Sequence, residues 1–596
     1  MKKRIRDILS SQSRDRSGDR NAELLRMTEC LQDTGPIVVW LHGPNGTGKS
    51  GLLSAFAKSA EDGGATIFEI DCRTVEPTVS GFLDALGESL NASPKDLEHA
   101  AMLLSGYDGR VVIVFNNYEV FRLADSWLRR EFIPALTETV RVVLVSREPP
   151  AAGWISASEW RDYFRTVSLE ASAEQSPEDL ARRYLEEVPQ SEIRQALDAV
   201  SVIRRITRPM LAALCPEIPA DELFEKLADL SFVESRRDGL AIQDSVHKVI
   251  ASRLQAADIE QYRHYQKKAW KLLRQQLKES TRVDLWRCTA DVIYLIENPV
   301  IREAFFPSES AQFSVEPAMA VDKEDVMNIV RRHEPPAAIE VLELWWQNLP
   351  SAYHVVRDAK GTIVGFYCVA RPEYVGADWM QFDPLARCWQ YHLNLNGKSA
   401  RAPSLFLRRW LSYEDGEAPS AVQAAAWVDI KRTYLELRPA LRRVYLTLQN
   451  IGPYGPVATQ LGFTVLEEVV VSLSDTPYYT AMLDFGPGSV DGWICNLVAA
   501  ELGVTEDRLL DAPARELVLN GRRIPLTPLE FGVVSMLESR AGGAVSRAEL
   551  LRQVWGHDYE GGSNVVDAVV RGLRKKCEEN ADILETVRGV GYRLRA

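Results

Sequence analysis

The stretch "HGPNGTGKSG", His42 to Gly51, sets Gly43, Gly46 and Gly48 among Pro44, Asn45 and Thr47 and runs into Lys49 and Ser50. Glycines at this spacing let successive backbone N–H groups turn toward one anion, and a helix opening behind them adds the positive end of its dipole. The chemistry implied is phosphate binding: Lys49 would reach the β- and γ-phosphates of ATP or ADP, and the Ser50 hydroxyl would ligate Mg²⁺. A second set lies near the other end of the chain. Asn564, Ala568, Arg571 and Lys575 recur at four-three-four spacing, with Arg574 and Lys576 at their borders and Arg588 and Arg593 further on. Small or polar residues early on a helix suit base edges and cations further along suit phosphates, so this set points to reading duplex DNA.

The glycine loop needs a strand before it and a helix behind it. "PIVVWL" supplies an apolar strand at Ile37 to Leu41, and a helix is expected to open near Lys49. "ATIFEIDC", "RVVIVFNNYEVF" and "VRVVLVSREPP" follow, each separated by helical sequence, which predicts a doubly wound α/β fold with a parallel sheet. The apolar run of the second stretch ends on Asn116 and Asn117, and Asn116 stands where a phosphate-binding ATPase normally carries an acid. An amide oxygen still accepts a hydrogen bond but supplies no charge, so Mg²⁺ retention weakens and hydrolysis becomes slow or absent. Glu119 could still polarise a water, which makes Asn116 and Glu119 the catalytic candidates.

"GDRNAELLRM", "GPNGTGKS", "FNNYE" and "VSREPP" together resemble the STAND branch of the AAA-type P-loop ATPases, which includes the NB-ARC switches. That resemblance implies that Arg147 touches the γ-phosphate and that Arg20 borders the nucleoside. After Pro150 the chain turns helical, and residues 220–254 resemble the small winged-helix domain that follows the nucleotide domain in that family. Gln243-Asp244 stands where the family carries a diphosphate-sensing His-Asp pair, and the family's Gly-x-Pro segment is not found. The first departure implies a weaker or absent ADP-locked state, and together with Asn116 both imply a partly structural nucleotide.

From Phe313 to Phe485 the pattern changes to alternating strands, with a long helix from Val422 to Leu437 and "LGF" closing a short helix at Leu461 to Phe463. This order resembles the GNAT acetyltransferase fold, with a central hairpin around Lys360 and Gly361. In that family an [QR]-x-x-G-x-[GA] turn holds the acetyl-CoA pyrophosphate; here it reads "YEDGEA", Tyr413 to Ala418. Glu414, Asp415 and Glu417 crowd three carboxylates where a polyanion should sit, a juxtaposition that argues against acetyl-CoA. Ala458 replaces the general-acid tyrosine, and Tyr454, one turn earlier, is expected to miss the site. A sensing or scaffold module is expected.

The last hundred residues resemble the winged helix-turn-helix effector domain of OmpR/PhoB-type regulators through "LTPLEF", "VSRAELL", "VVDAVVRGLRKK" and "TVRGVGYRL". Thr527 with Glu530 and Ser546 with Glu549 form capping boxes that start two helices. Val566, Val570, Leu573 and Cys577 form the buried stripe of the third. Gly589 and Gly591 permit the turn of a wing whose strands carry Arg588 and Arg593. In relatives, the loop "VWGHDYEGGSN" contacts RNA polymerase or a neighbouring protomer; Trp555 within it is expected in the core.

At 596 residues the chain exceeds one core and should divide into several domains. The expected division is a flexible basic tail at 1–18, a P-loop domain at 19–170, a helical and small winged-helix domain at 171–275, a helical linker at 276–312, a GNAT-like α/β domain at 313–485, a linker at 486–510 and a winged helix-turn-helix at 511–596. A net charge of −13 excludes indiscriminate polyanion binding, so DNA contact must come from a local basic surface. Eight cysteines without Cys-x-x-Cys pairs fit reduced core thiols rather than disulfides or a structural metal. With no secretory signal or apolar span, a cytoplasmic protein with no membrane partner is expected.

Together these point to a bacterial transcription regulator, at most a weak ATPase in enzymatic terms, that binds double-stranded promoter DNA as a homo-oligomer and is gated by ATP or ADP. Two other classes stay open: an acetyltransferase tethered to a DNA-binding domain, and a STAND-type scaffold or defence switch whose winged helix contacts protein.

Overall fold

The computed structural model describes residues 20–44, 47–170, 188, 191–236, 238–280, 282–298, 313–395, 403–486, 488–504, 510–511, 515–519, 522–538, 544–555 and 564–594. The expected basic tail lies outside them. The chain divides into two compact units, Met1–Asp484 and Phe485–Ala596.

The first unit opens with a five-stranded sheet of β1 (Val38–His42), β2 (Thr66–Asp71), β3 (Val111–Asn116), β4 (Val140–Ser146) and β5 (Phe164–Ser168), ordered β2-β3-β4-β1-β5 with every pair parallel. The inner strands β1, β3 and β4 are nearly all buried along their length, as strands covered on both faces are, whereas the edge strands β2 and β5 are mixed. Val38, Trp40, Ile113, Phe115, Val142 and Leu144 enter one core, while Val39, Leu41, Val112, Val114, Val143 and Val145 enter another. That alternation places successive residues on opposite faces of one sheet. The helix behind β1 runs Lys49–Asp62.

Helices Ser191–Val200, Arg208–Leu214 and Ala220–Ala228 lead to an antiparallel hairpin of β6 (Val233–Arg236) and β7 (Gly239–Ile242), and helix Asp244–Ala257 follows. The next helix, Ile259–Glu279, runs unbroken through residue 275, where a domain boundary was expected.

A seven-stranded sheet comes next: β8 (Ser314–Pro317), β9 (Tyr353–Arg357), β10 (Ile363–Ala370), β11 (Ser404–Ser412), β12 (Arg443–Leu448), β13 (Thr464–Leu473) and β14 (Thr476–Asp484). Its order is β13-β14-β12-β11-β10-β9-β8, and only β11 and β12 pair in parallel. Helix Ala421–Glu436 packs on β8 to β11 and also against Tyr118–Ala124 of the first sheet's domain, so it is buried on two sides.

The regions expected as separate domains up to residue 484 are thus joined into one unit, and buried charge accounts for it. Glu316 on β8 is 2% exposed and accepts hydrogen bonds from Arg129, Arg130 and Arg357. Arg357 also pairs with buried Asp322 at 2.8 Å. The Arg129 guanidinium runs against Gly153, where a Cβ would lie only 2.6 Å from its Nη2. Arg438 pairs with Glu76 at 2.9 Å, donates to Thr289 Oγ1 at 3.2 Å and stacks over Trp286, which ties in the helix Arg282–Tyr294 as well.

In the second unit, the expected linker carries a helix, Ser489–Glu501, with Val490, Trp493, Ile494 and Val498 buried. An antiparallel sheet of β15 (Leu510–Asp511), β16 (Glu516–Leu519) and β17 (Arg522–Pro525) follows. Then come helix Pro528–Glu538, helix Arg547–Leu550 extended by a π-helical turn to Trp555, and helix Asn564–Cys577. A small sheet ordered β18-β20-β19 closes the unit: β18 (Val545–Ser546), β19 (Leu584–Val587) and β20 (Gly591–Leu594). Trp555 packs on this core, as expected. All eight cysteines are free thiols, seven of them buried.

Candidate functional site

The glycine loop leaves β1 and enters helix Lys49–Asp62 through Gly48, whose φ of +81° lies in the left-handed region that favours glycine. At Gly43 a Cβ would lie 2.4 Å from the Leu169 carbonyl oxygen, so the loop can leave the sheet here only as glycine. Thr47 is buried and donates to the Pro44 carbonyl at 2.9 Å, which holds the turn. Lys49 folds back over the loop, its Nζ donating to the carbonyls of Gly43 (2.6 Å) and Pro44 (2.8 Å). Burial pulls the Lys49 pKa below that of an ordinary lysine; Glu119 opposes this and Arg147 adds to it. Ser50 stands exposed on the first turn, and Asn45 and Gly46 lie outside the described residues.

Arg20, expected to border the nucleoside, lies beside this loop. Its guanidinium carbon lies 3.8 Å from where a Gly48 Cβ would be, and its Nη1 is buried with no hydrogen-bond partner among the described residues. A buried guanidinium nitrogen facing a loop of this shape, beside a lysine bonded to two carbonyls among the described residues, fits an anion. The donor set therefore suits the phosphates of a nucleotide.

Asn116 and Glu119 are differently employed. The Asn116 amide donates to Glu69 at 3.1 Å, and its oxygen accepts from the backbone N–H of Asn117 at 3.0 Å. Asn117 in turn donates to Asp71 at 3.0 Å. Glu119 accepts from the Arg147 backbone N–H (3.1 Å) and Nε (2.6 Å). Arg147 also reaches Asp244 at 3.0 Å, the first residue of helix Asp244–Ala257. Arg147 thus clasps two domains together through two carboxylates. A third anion would compete with both for this guanidinium.

The second candidate set sits on helix Asn564–Cys577. Val566, Val570, Leu573 and Cys577 are buried, which turns Asn564, Ala568, Arg571 and Lys575 outward as one exposed row. The capping box at Thr527 forms as expected: Thr527 N–H donates to Glu530 at 2.8 Å, and Glu530 N–H donates to Thr527 Oγ1 at 3.3 Å. At the next helix, Glu549 N–H donates to Ser546 Oγ at 3.2 Å.

Arg574 and Lys576, expected at the border of the outward face, are spent inside the domain. Arg574 donates through Nε to the Leu584 carbonyl (2.9 Å) and through Nη2 to Thr586 Oγ1 (2.8 Å), which fastens the helix to β19. Lys576 Nζ donates to Glu530 (2.7 Å) and to the Pro525 carbonyl (3.0 Å). Charged hydrogen bonds of this kind are worth about 1.5–3 kcal/mol each. Arg574→Ala is accordingly expected to lower the denaturant midpoint of the second unit's transition, while Lys575→Ala leaves it unchanged; chemical denaturation followed by circular dichroism checks both.

Three positioning residues carry no local sequence signal. Asp567 on the same helix accepts from Arg547 Nε at 2.8 Å and from the Tyr592 hydroxyl at 2.5 Å, so one carboxylate locks the helix to its neighbour and to β20. The Tyr592 and Arg547 hydrogen bonds hold the Asp567 carboxyl below its ordinary pKa, against the effect of burial. Between β19 and β20, Gly589 has φ +75°, and at Gly591 a Cβ would lie 2.0 Å from the Val545 carbonyl oxygen. Arg588 is exposed at this turn, whereas Arg593 pairs with Glu585 at 2.7 Å.

In the seven-stranded domain the acidic loop is not a bare cluster. Glu414 pairs with Arg332 at 3.1 Å, and Glu417 turns inward to pair with buried Arg409. Tyr454, expected to miss this region, lines the same cavity and donates to the Glu417 carbonyl. No group of metal-ligating side chains occurs among the described residues, and no described helix is long and apolar enough to cross a membrane.

Comparison with known proteins finds one matching family model, "Transcriptional regulatory protein, C terminal", over residues 521–594. AfsQ1 of Streptomyces coelicolor, a transcriptional regulatory protein, is 46% identical over 89 residues, which cover 14% of this chain and 40% of AfsQ1. PrrA of Mycobacterium leprae is 42% identical over 88 residues, covering 14% and 38% respectively. The chain therefore spans about two fifths of the length of these relatives. Among solved structures, the DNA-binding domain of Bacillus subtilis CssR is similar at 41% identity, covering 14% of this chain and 97% of that one with a TM-score of 0.14. The Aeropyrum pernix ORC1 protein in complex with DNA is similar at 13% identity, covering 81% and 92%, with a TM-score of 0.25. Helix order, capping, wing and family match agree that the C-terminal segment is a transcriptional-regulator domain of the OmpR/PhoB winged-helix type.

Proposed function

We propose that this protein is a bacterial transcription regulator that reads promoter DNA through helix Asn564–Cys577 and its wing, and whose DNA affinity is set by ATP or ADP at the glycine loop. The observation that carries the DNA reading is the outward row of Asn564, Ala568, Arg571 and Lys575 on a helix whose other charged residues are fixed internally. Asn564 and Ala568 are near enough to the helix start to face base edges, and Arg571, Lys575 and exposed Arg588 would meet phosphates. At least two protomers are needed if the operator is a repeat.

Support for a nucleotide module comes from the parallel order β2-β3-β4-β1-β5, with the glycine loop on a central strand, and from Lys49 and Arg20 facing that loop. A bound Mg²⁺-nucleotide supplies concentrated negative charge there. Lys49 and Arg20 would bind it, and Ser50 would hold the cation. Arg147 is the switch in this reading: leaving Glu119 and Asp244 for a γ-phosphate frees helix Asp244–Ala257 from the sheet domain. With Asn116 neutral and Glu119 engaged by Arg147, turnover is slow.

The order β13-β14-β12-β11-β10-β9-β8, with its single parallel pair, supports a GNAT-like middle domain. Glu417 filling the gap beside β11 favours a sensing module over an acetyltransferase.

DNA binding across a salt series tests the reading. Lys575→Ala should weaken all duplexes alike and reduce the slope of log affinity against log salt by about 0.9. Asn564→Ala should instead blur preference at one operator position, by about 1–3 kcal/mol of discrimination. Identical effects from the two variants would contradict the assignment of this face.

A further inference from the structure

β11 and β12 pair only from Ser404–Leu407 with Arg443–Leu446, and beyond Leu407 they diverge. The wedge they leave holds Arg409, 1% exposed, between two acids. Glu334, fully buried, accepts from Arg409 at 2.6 Å and from the Tyr478 hydroxyl. Glu417 occupies the other side. It pairs with the Arg409 Nη1 and accepts from the backbone N–H groups of Gln449 (3.0 Å) and Asn450 (2.6 Å).

A buried guanidinium and two adjacent backbone N–H groups converging on one carboxylate make a complete receptor for a carboxylate. The acid now in it is a side chain of the rim loop, entering beside Gly416, whose φ is +62°. Next to it lies a cavity of about 270 Å³ lined by His333, Arg409, Asp415, Glu417, Asn450 and Tyr454. That volume lies near the lower end of the size of small-molecule sites, roughly 300–1,000 Å³.

We propose that this wedge is a binding site for a small monocarboxylate, which takes the seat that Glu417 of the same chain holds in the resting protein. The inference rests on reading the middle domain as a sensing module rather than an acyltransferase. Arg409, already paired with Glu334, gives the seat one further salt bridge, and the Gln449 and Asn450 N–H groups fix the orientation of the incoming carboxylate. Glu417 competes as a tethered ligand at millimolar effective concentration, so the wild-type site answers only to high ligand levels. Displacement also has a route outward. Helix Ala421–Glu436 starts three residues after Ala418, and Arg438 beyond its other end pairs with Glu76 beside the nucleotide domain's sheet.

The test is thermal melting of the full chain at constant ionic strength with sodium butyrate, n-butylamine or n-butanol, for wild type and Glu417→Ala. Glu417→Ala should show a saturable rise of about 2–4 °C with butyrate and none with n-butylamine or n-butanol, with wild type needing at least about tenfold more butyrate. Acetate and propionate should act like butyrate in the variant. Equal shifts in both proteins, or no butyrate shift in the variant, would overturn the proposal. Should Glu417→Ala not fold, Glu417→Asp takes its place: it keeps the charge but is one methylene too short to satisfy both N–H groups, and the same pair of outcomes applies. Coenzyme A is the separating arm: a shift in wild type with coenzyme A and none with carboxylates would remove the sensing-module reading along with the site.

Discussion

Glu316→Ala is expected to destabilise the first unit by about 3–5 kcal/mol, because it removes one carboxylate shared by three arginines and leaves their charge in a buried place. Burial, only partly offset by Glu316, already pulls the Arg130 pKa below its ordinary value, with Arg129 and Arg357 adding to the effect. Without Glu316, Asp322 remains for Arg357 alone. Equilibrium urea unfolding, followed by tryptophan fluorescence, should show the first unit's transition moving to lower denaturant and splitting, as the sheet domains lose the charge cluster that joins β8 to the segment of Arg129 and Arg130. Gly153→Ala should reproduce part of this through the same guanidinium, since the added methyl group would occupy the path of Arg129. An unchanged, single transition in Glu316→Ala would mean that the two sheets are not held by this cluster.

Lys49→Ala is the second large effect, and it is one of binding rather than stability. A charged hydrogen bond contributes about 1.5–3 kcal/mol, so ATP affinity should fall by about 10–150-fold, while melting of the unliganded chain stays near wild type because, among the described residues, Lys49 bonds to two loop carbonyls. Titration with a fluorescent ATP analogue measures it. Lys49 also gives the binding a pH dependence. Its pKa is lowered in the free protein and a phosphate would raise it, so affinity should decline as pH rises toward the alkaline range in which free Lys49 loses its proton. A Lys49→Ala variant that binds ATP like wild type would place the phosphates elsewhere.

Much of this architecture could be read along the chain. Uninterrupted runs such as Val111–Phe115 announce a strand covered on both faces, and the four-three-four stripe of Val566, Val570, Leu573 and Cys577 set the outward face of the last helix correctly. Capping at Thr527 and the turn at Gly589 follow from short-range stereochemistry, and short range is what a sequence displays. What could not be read is the use to which charged side chains are put. Arg574 and Lys576 look like part of a basic face until β19 and Glu530 come within reach of them. Glu316 finds Arg129 across 187 positions, and nothing local to either marks the pair. Glu417 looked like one of three repelling acids because Arg409, eight positions away on a strand, gave no sign of turning inward. Tyr454, one turn before Ala458 in the sequence, shows nothing locally of the Glu417 carbonyl that its hydroxyl reaches.

The central claim is that nucleotide at the loop and DNA at the winged helix bias one another. The most direct measurement is the affinity of the full chain for its operator duplex at fixed salt with ATP, with ADP and with no nucleotide, alongside Lys49→Ala. The account predicts about a 5–150-fold difference among the nucleotide states in wild type, the size of ordinary allosteric coupling, and none in the variant. Equal affinities in all three states of the wild-type protein would contradict it.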